Sequence, residues 1–248
     1  MKTLFFTIGL IGLLSIFLVF TFPKSIQFES EEVMEEEFSP VELIRGIETV
    51  ESVIGKIENN VLLRLNEDLK LWGGSELPAK IKLVGLKEER ILQVYGSKEG
   101  VYSLFKSYPF TGFSGKLGPK LREGDRQIPE GIYRVEFLNP NSAYHLSIKI
   151  NFPNRFDWQK ARLDGRSEPG SDIFIHGKSV TIGCIPIGDL AIEELFYLLE
   201  RALPNGVEMI ISPRDFRVNP EFPEIDIVSW SSELYEKIMQ NLARLPLN

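Results

Sequence analysis

The chain has 248 residues, 43% hydrophobic and 11% aromatic, with a formal charge of −7 and a single cysteine. That is enough apolar material for one sizeable core, and 15 prolines with 20 glycines point to a turn-rich, β-rich domain. The acidic balance excludes a basic nucleic-acid surface, and one cysteine excludes an internal disulfide.

Residues 3–22 carry no charge. A run of about 20 such residues is long enough to cross a bilayer as a helix. It exceeds the usual signal-peptide apolar core, and no A-x-A-like cleavage site follows in "TFPKS". The expectation for residues 1–24 is an uncleaved membrane anchor, with a cleaved signal peptide as the alternative. Lys2 and Lys24 flank the run almost symmetrically, so orientation is weakly specified. The rest of the chain is expected outside the cytoplasm, in the periplasmic part of the envelope. Glu29, Glu31, Glu32, Glu35, Glu36 and Glu37 then form an acidic run that reads as a solvated linker.

Residues 40–70 show helical spacing, with Val41, Ile44, Ile47, Val50, Ile54 and Ile57 at steps of three and four. Pro40 suits a first turn, and one or two helices are expected. Residues 25–78 are grouped as linker plus helical segment. "WGGSELP" (72–78) is a break.

Strands follow at 80–87, 89–96 and 101–110, with "SKEG" turning between the last two. Residues 111–131 form a long loop rich in glycine, proline and charge. Strands are expected at 132–138 and 143–153 around an "NPNS" turn, then an irregular stretch at 154–171 and a short buried strand at 172–177. Asp189 is placed as the cap of a helix over 190–203, with Ile192, Leu195, Phe196 and Leu199 on one face. A strand at 207–213 and a helix at 231–245 complete the chain. The fold class is mainly β (α+β) with one internal helix and helical flanks. The core domain is placed at 79–218 and a helical extension at 219–248. An open parallel α/β sheet would need a helix between most strands.

"GFSGKLGPK" is not a phosphate loop. Phe110 stands where the first glycine is required, and Leu117 stands where Ser or Thr should follow Lys116. Two histidines and one cysteine without paired spacing give no metal signature, although His145, His176 and Cys184 could in principle combine. No metal and no cofactor are expected.

His176 ends the short strand, and Cys184 follows eight positions later. A cysteine attacks carbonyls as thiolate, helped by an adjacent imidazole or by backbone amides. Gly177 is read as freeing the turn after the histidine. Gly183 permits an unusual backbone angle, so the amides of Gly183 and Cys184 can converge on one oxygen. The gap suits a strand–turn–strand return that brings both side chains to one sheet end. A buried core cysteine beside a histidine bonded to a carbonyl fits the spacing equally well.

"IHG", Ser179 and "TIGC" resemble the signature of the L,D-transpeptidase catalytic domain family (YkuD type). "LQVYG", "LFKSYPF", "SGKLGPKLREGDRQIPEG", "NPNSAYHLSI" and "IHG..VTIGC.PI....IEELF" follow in the order of its YafK-like branch, over about residues 80–218. The resemblance implies an L,D-transpeptidase-like β-sandwich or barrel and a cysteine acyl-transferase acting on peptidoglycan stem peptides through a thioester. It implies Cys184 as nucleophile, His176 as general base and acid, and the Gly183 amide as oxyanion donor. His145, Lys116, Lys120 and Ser179 are the candidate substrate contacts, with Arg122 beside them in the loop. The resemblance implies stem peptides as partners, with an envelope lipoprotein as a further candidate; the charge balance argues against nucleic acid, and the uncharged run 3–22 supplies the expected membrane contact. The alternatives are a hydrolase releasing lipoprotein from peptidoglycan and a non-catalytic membrane-tethered wall-binding module. Two positions depart from the common Ser/Thr-His-Gly-Cys pattern: Ile182 replaces the second histidine, and Pro186 stands two after the cysteine. The spacer is also short, as it is in the YafK-like branch.

Overall fold

A computed structural model describes residues 46–225 and 228–247. The expected anchor, the acidic linker and the helix start at Pro40 lie outside them. Among the described residues, no helix is long and apolar enough to cross a membrane.

The elements in order are α1 (Val50–Leu71), β1 (Ile81–Leu86), β2 (Ile91–Lys98), β3 (Val101–Pro109), β4 (Gly131–Ser142), β5 (His145–Ile150), α2 (Arg155–Leu163), β6 (Phe174–His176), β7 (Ile185–Pro186), α3 (Asp189–Ala202), a 3-10 turn (Leu203–Asn205), β8 (Glu208–Ser212) and α4 (Ser231–Leu242). The α+β class holds. Among the described residues the strands form one eight-stranded sheet, ordered β3-β2-β1-β8-β4-β5-β6-β7. Neighbours are antiparallel except β1–β8 and β6–β7.

The sheet centre is covered on both faces. Side chains alternate along a strand, so β1 sends Leu83 to one face and Val84 and Leu86 to the other. Likewise Met209 and Ile211 of β8 join the core under α1 and α3, while Ile210 joins the core under α4. Val61 and Leu65 of α1 are fully buried there with Ile192, Leu195, Phe196 and Leu199 of α3. Trp230, Leu234, Tyr235 and Ile238 close the opposite face. Double coverage is why β1 and β8 are each buried at every position but one.

Three expectations are corrected. The stretch 154–171 contains α2, a second internal helix. Asn154 and Asp157 close a reciprocal capping box, with the Asn154 amide donating to Asp157 Oδ2 at 2.8 Å. The helix buries only Lys160 and Ala161, so its apolar periodicity is faint. "NPNS" is not a turn, because β4 runs through it to Ser142 with an irregularity in register that accommodates Pro140. The chain reverses at Ala143–Tyr144 instead. Of the one or two helices expected over 40–70, the described residues show one, α1, with the Thr49 hydroxyl accepting from the Ser52 amide. Asp189 is not the cap of α3: Gly188 is, and the Asp189 carboxylate accepts the Lys178 amide at 2.7 Å.

The long loop 111–131 is anchored from below. Lys87 Nζ donates to the carbonyls of Gly118 and Ile128, each at 2.9 Å, and pairs with Glu130 at 2.8 Å. Glu130 also accepts the Gly118 amide at 2.7 Å and the Tyr235 hydroxyl of α4 at 2.8 Å. Both charged side chains are completely buried.

Candidate active site

β6 places His176, and the loop 177–184 delivers Cys184 to the start of β7. The two strands are parallel, with Ile175 opposite Ile185 and His176 opposite Pro186. The expected strand–turn–strand return is thus made with the two strands parallel. Continuing the register sets Cys184 level with Phe174. His176 and Cys184 thus share one sheet face, two residues apart along the strand direction, or roughly 6.6 Å. Ile175 and Ile185 fill the other face and are fully buried.

His176 is 2% exposed. Its Nδ1 lies 2.6 Å from the Gly177 carbonyl, which can only accept, so Nδ1 carries the proton and Nε2 is the free acceptor. The Tyr144 ring packs on the imidazole at 4.6 Å between centroids. Burial holds the His176 pKa below the ordinary imidazole value of 6.5, against the pull of the Gly177 bond.

Cys184 is half-buried. Burial pushes its thiol above the ordinary range. A backbone hydrogen bond from Phe174 and the charges of Lys120 and Lys149 act the other way, while Asp172 adds to the rise. Sγ has a long contact, 3.9 Å, to the Asp172 carbonyl. Burial thus acts on both groups in the direction that disfavours a thiolate–imidazolium pair.

Gly183 has φ 136°, and a Cβ there would sit 3.1 Å from the Gln127 carbonyl. This position needs glycine for both reasons. Its amide donates to Thr181 Oγ1 at 3.2 Å, and Thr181 Oγ1 donates to the Cys184 carbonyl at 2.8 Å. The amide singled out as an oxyanion donor is thus engaged in the free chain. Gly177 has no left-handed angle. It is there because a Cβ would come within 2.6 Å of the Tyr144 carbonyl and of Asp189 Oδ1. Ile182 is 72% exposed, so a histidine in its place would stand at the solvent edge.

The long loop is stitched to the His–Cys loop. Thr111 Oγ1 donates to the Lys178 carbonyl at 2.5 Å, and the Thr111 amide donates to the Pro186 carbonyl at 2.9 Å. A Cβ on Gly112 would lie 1.9 Å from the Ser179 carbonyl. Gly112→Ala is therefore expected to push the two loops apart, at a stability cost of about 1–3 kcal/mol. The fall in turnover should exceed what that cost explains. A Tm shift with wild-type kinetics would show that this seam does not position the site.

The predicted contacts separate. Lys120 is buried, with Nζ donating to Asp125 at 2.6 Å and to the Arg122 carbonyl at 3.0 Å. It is committed to the loop and reaches Cys184 only through its field. His145 turns to α3, with Nε2 at 2.9 Å from Glu193, which in turn pairs with Arg64 of α1. Ser179 is exposed and meets Gly112 through its carbonyl. Lys116 and Arg122 are exposed. Among the described residues, no group of three or more His, Cys, Asp or Glu is placed to hold a metal ion. Sequence reasoning missed Tyr144, Thr181, Gln127 and Asp189. Thr181 had a signal as the first residue of "TIGC", and Asp189 stood out only as a helix cap; Gln127 and Tyr144 reach the site from distant segments.

The family profile described as the L,D-transpeptidase catalytic domain (YkuD) matches residues 81–211. The chain is 41% identical over 122 residues to the putative L,D-transpeptidase YafK of Escherichia coli K12, covering 48% of this chain and 47% of that protein. It thus spans about half the length of the curated relatives it matches. Among solved structures it is similar to the helical cell shape determining protein Pgp2 of Campylobacter jejuni, at 16% identity and a TM-score of 0.44, covering 66% of this chain and 70% of that one. It is also similar to Bd1075 of Bdellovibrio bacteriovorus, at 23% identity and a TM-score of 0.41, covering 68% and 55%.

Proposed function

The chain belongs to the L,D-transpeptidase catalytic domain family, and from that membership we propose that it is a cysteine acyl-transferase acting on peptidoglycan stem peptides. The observation that carries this reading is the fixed tautomer of His176. With Nδ1–H held by Gly177, Nε2 is the only ring atom able to take a proton, on the sheet face it shares with Cys184.

In the proposed cycle, Cys184 Sγ gives its proton to His176 Nε2 as sulfur attacks a carbonyl carbon at an L-centre of the stem. The oxyanion is held by the amides of Gly183 and Cys184, the former exchanging its long bond to Thr181 for the substrate oxygen. His176 returns the proton to the departing amine, and a thioester remains. An acceptor amine, or water, then attacks with its proton taken by Nε2, and Cys184 leaves as thiol. Burial suits this order of events: a neutral base and a protonated thiol cost less to hold in a half-buried site than an ion pair. The cell envelope, reached through residues 3–22, is the compartment that fits this substrate.

The pH profile follows from the His176 shift. Free imidazole takes its proton near pH 6.5, and the buried ring only at lower pH. The acid limb of kcat/KM is therefore expected below pH 6.5. The stability contributed by keeping the ring neutral is full above 6.5 and is lost as pH falls through the lower folded value. A kcat/KM limb centred above 6.5 would contradict a desolvated base.

Incubation with purified muropeptides, followed by mass spectrometry, tests the whole reading. New cross-links indicate an amine acceptor, and trimmed stems or released lipoprotein indicate water. Unchanged muropeptides from folded protein would sink the assignment.

A further inference from the structure

Beside the His–Cys loop lies a cavity of about 590 Å³, lined among others by Lys116, Leu121, Arg122, Asp125, Gln127 and Arg166. It reaches the Cys184 loop through Gln127. Gln127, on the cavity wall, presents its carbonyl to Gly183, next to Cys184. Asp125, also on the wall, pairs with Lys120, whose charge acts on the Cys184 thiol.

The charges in this cavity are unequally committed. Asp125 accepts from Lys120 Nζ and from the amides of Leu121, Arg122 and Gln127. Arg166 is spent on Asp164 and on the Leu121 carbonyl. The side chains of Lys116 and Arg122 have no acceptor among the described residues. The one acid is thus saturated by local donors, and two cations are left over. This occurs in a chain whose net charge is −7, where an anion would otherwise be repelled.

Resting on the acyl-transfer reading, we propose that this cavity is a carboxylate subsite that seats a carboxylate of the stem peptide beside the scissile amide, with Arg122 and Lys116 as its donors. Arg122 offers a planar fork matched to a carboxylate, and Lys116 adds a point charge. The apolar stretch of wall at Pro119 and Leu121 takes the aliphatic part of the same residue. The subsite selects peptides carrying a free carboxylate over their amidated forms.

The test uses the full chain carrying Cys184→Ala, which leaves peptide intact. Three synthetic tetrapeptide stems are titrated by calorimetry at low salt: one with all carboxylates free, one amidated at the terminus, one amidated at the diamino-acid side chain. One of the two amidated stems is expected to bind about tenfold more weakly, which identifies the carboxylate involved. Adding Arg122→Gln and Lys116→Gln should make that stem and the free stem bind alike. A preference that survives both substitutions, or no preference at all, overturns the subsite. The wild-type chain is assayed in parallel for turnover of the same stems. Turnover without carboxylate preference removes the subsite and leaves the chemistry standing. Selective binding without turnover removes the chemistry and leaves the subsite.

Discussion

Replacing Cys184 by alanine is expected to reduce turnover by a factor on the order of 10⁴ or more while moving the Tm by only a few degrees. The two effects separate because of how the thiol sits. It is half-buried, and its Sγ contact is a 3.9 Å approach to a carbonyl. Removing one sulfur from such a place costs about 1 kcal/mol, less than a well-packed core side chain. Chemically, no neighbour substitutes for it. Thr181 has its hydroxyl between the Gly183 amide and the Cys184 carbonyl, and Ser179 lies exposed on the loop. His176→Gln should lose turnover as well, since glutamine cannot take a proton at the position of Nε2. Thermal unfolding and muropeptide assays on the same preparations check both variants. A Cys184→Ala protein that loses more than about 3 kcal/mol would instead mark a packing cysteine.

Lys87→Met is expected to cost about 3–5 kcal/mol, the largest stability loss of any single substitution considered. The variant leaves the Glu130 carboxylate buried without its cation. It also strips two carbonyls, those of Gly118 and Ile128, of their donor. Burial already pulls the Lys87 pKa down against the attraction of Glu130, a measure of how dry this position is. Since Lys87 and Glu130 hold the 111–131 loop at Gly118 and Ile128, proteolysis within that loop should accelerate ahead of global unfolding. Adding Glu130→Leu removes the stranded charge and should recover part of the loss, but not all. The Gly118 amide and the Tyr235 hydroxyl then lack their acceptor. Denaturant midpoints for the single and double variants decide the matter, and an unchanged midpoint for Lys87→Met would refute the anchoring role.

Much of this molecule was legible in one dimension. Strands β1, β2, β3 and β8 and helix α3 announce themselves by apolar spacing, because the faces they bury repeat along the chain. The pairing of His176 with Cys184 as a candidate was also readable, from residue type, the odd thiol and the flanking glycines. α2 was not legible, since its stability comes from the Asn154–Asp157 box rather than from an apolar stripe.

Residue order by itself determined the class of fold, the family blocks and the two residues proposed to do chemistry. Tertiary structure alone decided the parallel register of β6 and β7, the commitment of Lys120 to Asp125 and of His145 to Glu193, and the burial that raises the thiol pKa and lowers that of the imidazole. The physical reason is common to all of these. Periodicity and local hydrogen bonding are written between near neighbours. Desolvation and charge pairing depend on which distant segments arrive at the same place, and here Gln127 and Tyr144 arrive at the site from two separate parts of the chain.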